Sequence, residues 1–269
     1  MKIIARPIYD WIHRNAPSGI KSNIYRLYRR LNPNDIQNQI LPLTGNLAGH
    51  RMRFRKKEDR QFANPDYEPE TCKVISQLLK PGWVCADVGG HIGYITLLMA
   101  KLVGEQGHIY AFEALPENAR LLKKNMALNH YSKRVTVENL AVSDGSQAKV
   151  ALYSGPSSFE STIMSRGWEP LLEVPGVALD DYFGSKSRLD FIKMDIEGAE
   201  LVAIPGMHRV LQVLQPILLI EVHDIAQPVL KDLEKLGCHF YDLNLQPLAM
   251  DKPEDFGLNH YVVTTKMLT

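Results

Sequence analysis

The chain has 269 residues, 45% of them hydrophobic and 23% charged, a composition that suits one large folded domain or two small ones and excludes wholesale disorder and fibrous architectures. Its longest apolar stretches, residues 92–100 and 217–220, fall well short of the roughly 20 residues that span a bilayer. Arg6 and Pro7 interrupt the start before the apolar core of a secretory signal can build up, so a cytoplasmic location is expected.

The net charge of +1 conceals an asymmetry, because residues 1–60 hold 13 Lys and Arg against 4 Asp and Glu while the remainder holds 18 against 26. A basic front of that kind could meet an anionic glycan, a phosphate or an acidic lipid surface, or it could be a solvated face; nucleic acid is not expected as a partner. Cys72, Cys85 and Cys238 are odd in number and widely separated, with no C-x-x-C pair, and read as reduced, buried thiols rather than a zinc site or a dithiol.

In chain order, residues 3–47 read as short helical pieces broken by Pro7, Pro17, Pro33 and Pro42. Within them Ile24, Leu27, Tyr28 and Leu31 make an apolar stripe beside Arg26, Arg29 and Arg30. After Pro65 strand, turn and helix alternate, as in a parallel sheet covered by helices. The strands are expected at residues 84–88, 108–113, 135–142, 149–153, 190–194 and 216–222, with a terminal pair at 238–243 and 261–265. Helices are expected after residue 93, from Pro116 to about Asn129, and from 226 to 236, where Gly237 supplies a left-handed end. This divides the chain into a basic helical extension, residues 1–60, and an α/β domain, residues 61–269.

The most informative stretch is Asp87-Val88-Gly89-Gly90-His91-Ile92-Gly93-Tyr94. A strand delivers an aspartate, glycines permit a tight turn, and a helix begins with its free N–H groups facing that turn. The dinucleotide fingerprint G-x-G-x-x-G is missing, and the acid precedes the glycines. A diphosphate disfavours a carboxylate there and a cationic sulfonium amino acid prefers one, so the order favours S-adenosylmethionine. Glu113 ends the next strand, where a carboxylate can accept both hydroxyl protons of an adenosine ribose. Phe191-Ile192-Lys193-Met194-Asp195-Ile196-Glu197-Gly198-Ala199-Glu200 then places acids at the carboxyl edge of the sheet, the edge at which α/β proteins bind ligands.

With these segments, together with residues 112–118, Leu179-Asp180-Asp181-Tyr182-Phe183 and Leu219-Ile220-Glu221-Val222-His223, the chain resembles the FkbM family of S-adenosylmethionine-dependent methyltransferases from about Tyr67 to Thr265. His91 departs from the asparagine more usual in that family. The resemblance implies a Rossmann-like seven-stranded methyltransferase sheet with its last strand antiparallel, and methyl transfer to an oxygen of a small molecule or sugar. It implies that Asp87, Gly89, Gly90 and Gly93, with His91 and Tyr94 in the same turn, surround the methionine portion, that Glu113 holds the ribose, and that residues from Asn139 to Ala141 flank the adenine. Asn139 could equally be an end-of-strand turn residue.

Methyl transfer from a sulfonium is a direct displacement in which alignment does most of the work, and a base helps only as the hydroxyl loses its proton. Asp195 and His223 are the candidates, with Glu221 beside His223. His223 could instead be hydrogen-bonded in a structural loop, and Asp195, Glu221 and His223 do not identify a metal site by spacing, so none is assigned. Glu197 and Glu200 read as caps of the following helix. The hydroxyl-rich residues 154–162 could form an acceptor wall or an ordinary polar loop. The reading is an O-methyltransferase for a hydroxyl of a sugar, glycolipid or secondary metabolite. Its rivals are an NAD-dependent oxidoreductase using the same turn, and a non-catalytic nucleotide-binding module tethered through its basic front.

Overall fold

The computed structural model describes residues 39–55, 58–65, 67–154, 161–222, 226–249 and 259–268. The apolar stripe at residues 24–31 lies outside them. Where the described chain begins it is extended: β1 (Gln39–Pro42) pairs antiparallel with β2 (Arg51–Phe54), so the helical reading of residues 3–47 does not hold at its end. Leu47, Met52 and Phe54 of this hairpin are buried in the same core as residues of helices α1 (Pro69–Leu78) and α2 (Tyr94–Val103).

Short apolar runs long enough for one buried strand each, separated by helices, build the main sheet. β3 (Val84–Val88) leads through the glycine turn into α2, β4 (His108–Phe112) leads into α3 (Pro116–Leu128), and β5 (Val135–Glu138) follows. At Glu138 the expected strand 135–142 stops. Asn139 donates its side-chain amide to the carbonyls of Glu113 (2.8 Å) and Ala114 (2.9 Å), which turns the chain out of the main sheet. The next residues form β6 (Ala141–Val142) in a second, smaller sheet with β7 (Lys149–Ser154), β8 (Ser161–Thr162) and β9 (Pro170–Val177), in the order β6-β9-β7-β8. Of these, β7 was expected as a strand and the residues of β6 as the end of strand 135–142, while β8 and β9 were not expected.

After α4 (Leu179–Tyr182) the chain returns as β10 (Phe191–Met194), α5 (Glu200–Ala203), β11 (Ile217–Glu221), α6 (Ala226–Lys235), β12 (His239–Tyr241) and β13 (His260–Thr264). Gly237 takes the left-handed conformation expected of it, φ 77°. The main sheet has seven strands in the order β12-β13-β11-β10-β3-β4-β5, all parallel except β13, which runs antiparallel to both neighbours. It is the Rossmann-like methyltransferase sheet expected, and two buried apolar clusters cover its two faces. Strand order reverses between β3 and β10, which leaves a crevice at their carboxyl ends. No helix among the described residues is long and apolar enough to cross a membrane.

The hairpin is fastened to α3 by side-chain amides. Asn125 accepts from the Arg53 N–H (2.8 Å) and donates to the carbonyls of Arg53 (3.3 Å) and Ile92 (2.8 Å), while Asn129 accepts from the Arg51 N–H (2.9 Å) and donates to its carbonyl (2.7 Å). The helix thus offers β2 the hydrogen bonds a further strand would have offered. Asn125→Ala removes three bonds from a fully buried position and is expected to destabilise the fold by roughly 3 kcal/mol. Urea unfolding checks this, and a loss under about 1 kcal/mol would show that the hairpin is held by packing alone.

Candidate active site

An open cleft sits at the switch between β3 and β10, the place where α/β sheets bind ligands. The glycine turn, the ends of β4 and β10, the front residues Phe62, Tyr67 and Glu68, and Leu152, Ser161, Thr162 and Ile163 of the second sheet surround it.

The turn is built by close approach. Gly89 has φ 87°, and a Cβ there would overlap the carbonyl oxygen of Asp195, so β10 can lie against the turn only if this residue is glycine. The N–H groups of Gly89 and Gly90 both donate to the Phe112 carbonyl at 3.0 Å. His91 stands at φ 46°, a left-handed conformation that asparagine adopts more readily than histidine. Its N–H donates to Glu113 Oε2 at 2.8 Å, while Leu115 N–H donates to Oε1 at 2.8 Å. Glu113 is thereby fixed at the end of β4. Burial pushes its carboxyl up to about 7 against these two bonds, a third from Asn118 and the charge of Arg55.

Asp87 is fully buried at the end of β3. Thr96 donates to its Oδ2, and Oδ1 has no hydrogen-bond partner among the described residues. Burial raises this carboxyl, and Lys193 opposes the rise. Strand register brings that partner in, since Lys193 of β10 stands directly beside Asp87 of β3. The Lys193 ammonium reaches Asp195 Oδ2 at 3.1 Å. Burial alone would lower Lys193, but Asp195, Asp87 and Glu68 together hold it above the ordinary lysine range, so it remains charged. Register likewise sets Glu221 of β11 opposite His260 of β13, and the two side chains meet at 3.1 Å. Tyr67 is pushed upward by burial and by its bond to Glu68, with Asp195 and Glu221 adding to the effect. Glu68, Glu113, Asp195 and Glu197 thus line the cleft with Lys193, while Asp87 lies buried beside Lys193, and this excess of carboxylate suits a cationic ligand.

The model of the methyltransferase FkbM domain matches residues 87–237, more than half of the chain and the whole span from Asp87 to the end of α6. This chain belongs to the FkbM family of S-adenosylmethionine-dependent methyltransferases. Parts of it are also similar to protein-L-isoaspartate O-methyltransferases: 30% identical over 109 residues to that of Hyperthermus butylicus, covering 38% of this chain and 41% of the relative, and 38% identical over 53 residues to that of Methanothrix thermoacetophila, covering 20% and 25%. The chain thus spans less than half the length of these curated relatives. Among solved structures it is similar to an FkbM methyltransferase of Methylobacillus flagellatus, with TM-score 0.46 and 14% identity over 96% of this chain and 58% of that one. It is also similar to a SAM-dependent O-methyltransferase of Thermotoga maritima, with TM-score 0.45 and 16% identity over 91% and 82%.

The residues present fit the donor of an FkbM methyltransferase. Asp87 has a buried oxygen without a partner among the described residues, and Glu113 lines the cleft with its carboxylate held by two backbone N–H groups. Of the residues read from the sequence, Gly89, Gly90, His91, Tyr94, Glu113, Ala141 and Asp195 line the cleft, and Asp87 and Gly93 lie in and under the turn. Asn139 spends its amide on the β4–α3 turn, while Leu140, Ala141 and Val142 reach the cleft. His223 lies outside the described residues. Glu200 does anchor its segment, accepting from the Ile196 N–H at 3.0 Å. Phe62, Tyr67, Glu68 and Lys193 were missed as site residues; only the position of Lys193 inside the β10 motif hinted at a role.

Ribose hydroxyls donate best to an ionised Glu113, so donor affinity should rise with pH, with a midpoint near 7, and level off above it. At pH 6 the donor should bind about tenfold more weakly than on the plateau. Calorimetric titration of S-adenosylmethionine across this range checks the prediction, and a flat profile would contradict it.

Proposed function

We propose that this chain methylates a hydroxyl oxygen of a sugar, glycolipid or other secondary metabolite, with Asp195 as the group that receives the hydroxyl proton. The observation that carries the reading is the contact between Gly89 and the Asp195 backbone, because a group held by the glycine turn must face the Asp195 end of β10. S-adenosylmethionine, when bound, supplies an electrophilic methyl carbon on a sulfonium. Asp87 would hold its amino-acid portion and Glu113 its ribose. Asp195, tethered through Lys193, would align the acceptor hydroxyl and take its proton as the oxygen is methylated.

Two further observations favour a neutral, hydroxylated acceptor. Glu68, Glu113, Asp195 and Glu197 line the cleft against Lys193, which opposes entry of an anionic acceptor such as an isoaspartate. Ser161, on the wall facing the floor, has a buried hydroxyl oxygen without a partner among the described residues, ready for a polar acceptor.

Incubation with methyl-labelled donor and a panel of hydroxylated sugars, glycolipids and an isoaspartyl peptide tests the acceptor class. Label on a hydroxyl is expected, and label on the peptide alone would overturn the reading. Asp87→Ala and Glu113→Ala should each abolish donor binding by calorimetry. Asp195→Asn should lower kcat about 100-fold or more with donor affinity within about threefold of wild type; an unaltered rate would remove Asp195 from the proposal.

A further inference from the structure

The front segment reaches further into the cleft than its core packing requires. Just past β2, Arg55 is only 5% exposed. A guanidinium is buried at a cost unless it is paired and hydrogen-bonded, and the pairing here is specific. Nη2 donates to Asn118 Oδ1 at 2.8 Å and Nη1 to Glu117 Oε2 at 3.0 Å, both in the first turn of α3. The Arg55 backbone N–H donates to Asp59 Oδ2 at 2.8 Å, a local bond that fixes the bend from which the side chain projects.

Asn118, itself 1% exposed, is the link. With its oxygen taken by Arg55, its amide nitrogen is left to face Glu113, whose carboxylate accepts from it. A residue that only anchored the hairpin could have ended at Glu117 or in solvent. Arg55 instead sets the orientation of an amide that holds Glu113, and it adds a positive charge on the same side. A second tie runs parallel to this one: Asn125 bonds both Arg53 of β2 and the carbonyl of Ile92 in the glycine turn.

We propose that Arg55 is a positioning residue of the donor pocket, acting on Glu113 through Asn118, so that the docked front segment completes the ribose-binding half of the cleft. The inference rests on the reading of Glu113 as the donor's ribose contact. The charged and titratable groups around Glu113 are Arg55 from the front segment, Glu117 from α3 and His91 from the glycine turn.

The test uses the full chain, with S-adenosylmethionine and S-adenosylhomocysteine titrated by calorimetry from about pH 6 to about pH 9, and the Glu113 carboxylate followed by NMR in the free protein. Arg55→Met should weaken donor binding about tenfold near neutral pH, change kcat at saturating donor less than about twofold, and move the titration of Glu113 to higher pH. Arg55→Lys keeps the charge and loses the fork, so it should restore most of the titration midpoint and only part of the affinity. Asn118→Asp leaves an oxygen for Arg55 and sets a second carboxylate beside Glu113, so it should weaken donor binding at least as much as Arg55→Met. The proposal is overturned if Arg55→Met and Asn118→Asp bind donor as wild type with the Glu113 titration unmoved while Glu113→Ala loses the donor. If Glu113→Ala binds as wild type, the ribose reading falls and this inference with it. Should Arg55→Met fail to fold, Asn118→Asp alone decides.

Discussion

The floor of the cleft depends on one buried ammonium. Asp87 and Asp195 converge from the ends of neighbouring strands with Glu68 close by; burial, Asp195 and Glu68 all push the Asp87 carboxyl upward, and Lys193 and Thr96 oppose that rise. Lys193 lies in register with Asp87 and bonds Asp195, and the acids in turn keep it protonated although burial opposes this. Such a group is poor evidence for stability in itself, since burying ions costs free energy that their attraction only partly returns. What it secures is the sign of the site. The acids still outnumber the cations, so a cation is welcomed, while the acid nearest the turn keeps a defined direction.

The same economy of polar groups explains how the front of the chain is bound. Asparagine is a mediocre helix former, yet Asn118 and Asn125 stand on one face of α3, with Asn129 at its C-terminal cap, at i, i+7 and i+11. Each uses its amide on the segment ahead of the domain: Asn125 and Asn129 on the backbone of β2, Asn118 on the Arg55 side chain. The helix gives up some intrinsic propensity, and its polar face acquires direction and reach that leucine could not have supplied.

Much of the donor half was legible in the sequence because its determinants are local. An aspartate, two glycines and a helix start lie within a few residues, and Glu113 is marked by the end of the next strand. The alternation of strands and helices pointed to a helix-covered parallel sheet, and the family resemblance implied its seven strands with the last one antiparallel. What escaped was set by distance along the chain. The meeting of Lys193 with Asp87 is decided by strand register across more than 100 residues. Tyr67 and Phe62 arrive from ahead of the first strand of the domain and face His91 and Tyr94 through ring contacts no periodicity announces. Asn139 was legible as a possible turn residue, but not the direction of the turn, because the side chain that bends the chain bonds carbonyls some 25 residues back. The asparagines of α3 and its cap were visible, and their spacing is a signal that could have been read.

The bend at Asn139 separates two inventories of residues. The main sheet and its turn carry the charged floor, whereas the small sheet that starts at Ala141 supplies Leu152, Ser161, Thr162 and Ile163 to the opposite wall. The two meet across the cleft without sharing a strand. Loops and side chains of the small sheet can therefore be lengthened or exchanged without disturbing the machinery beneath. An FkbM scaffold of this plan is open to diversification of what it modifies while the chemistry of the methyl group stays constant.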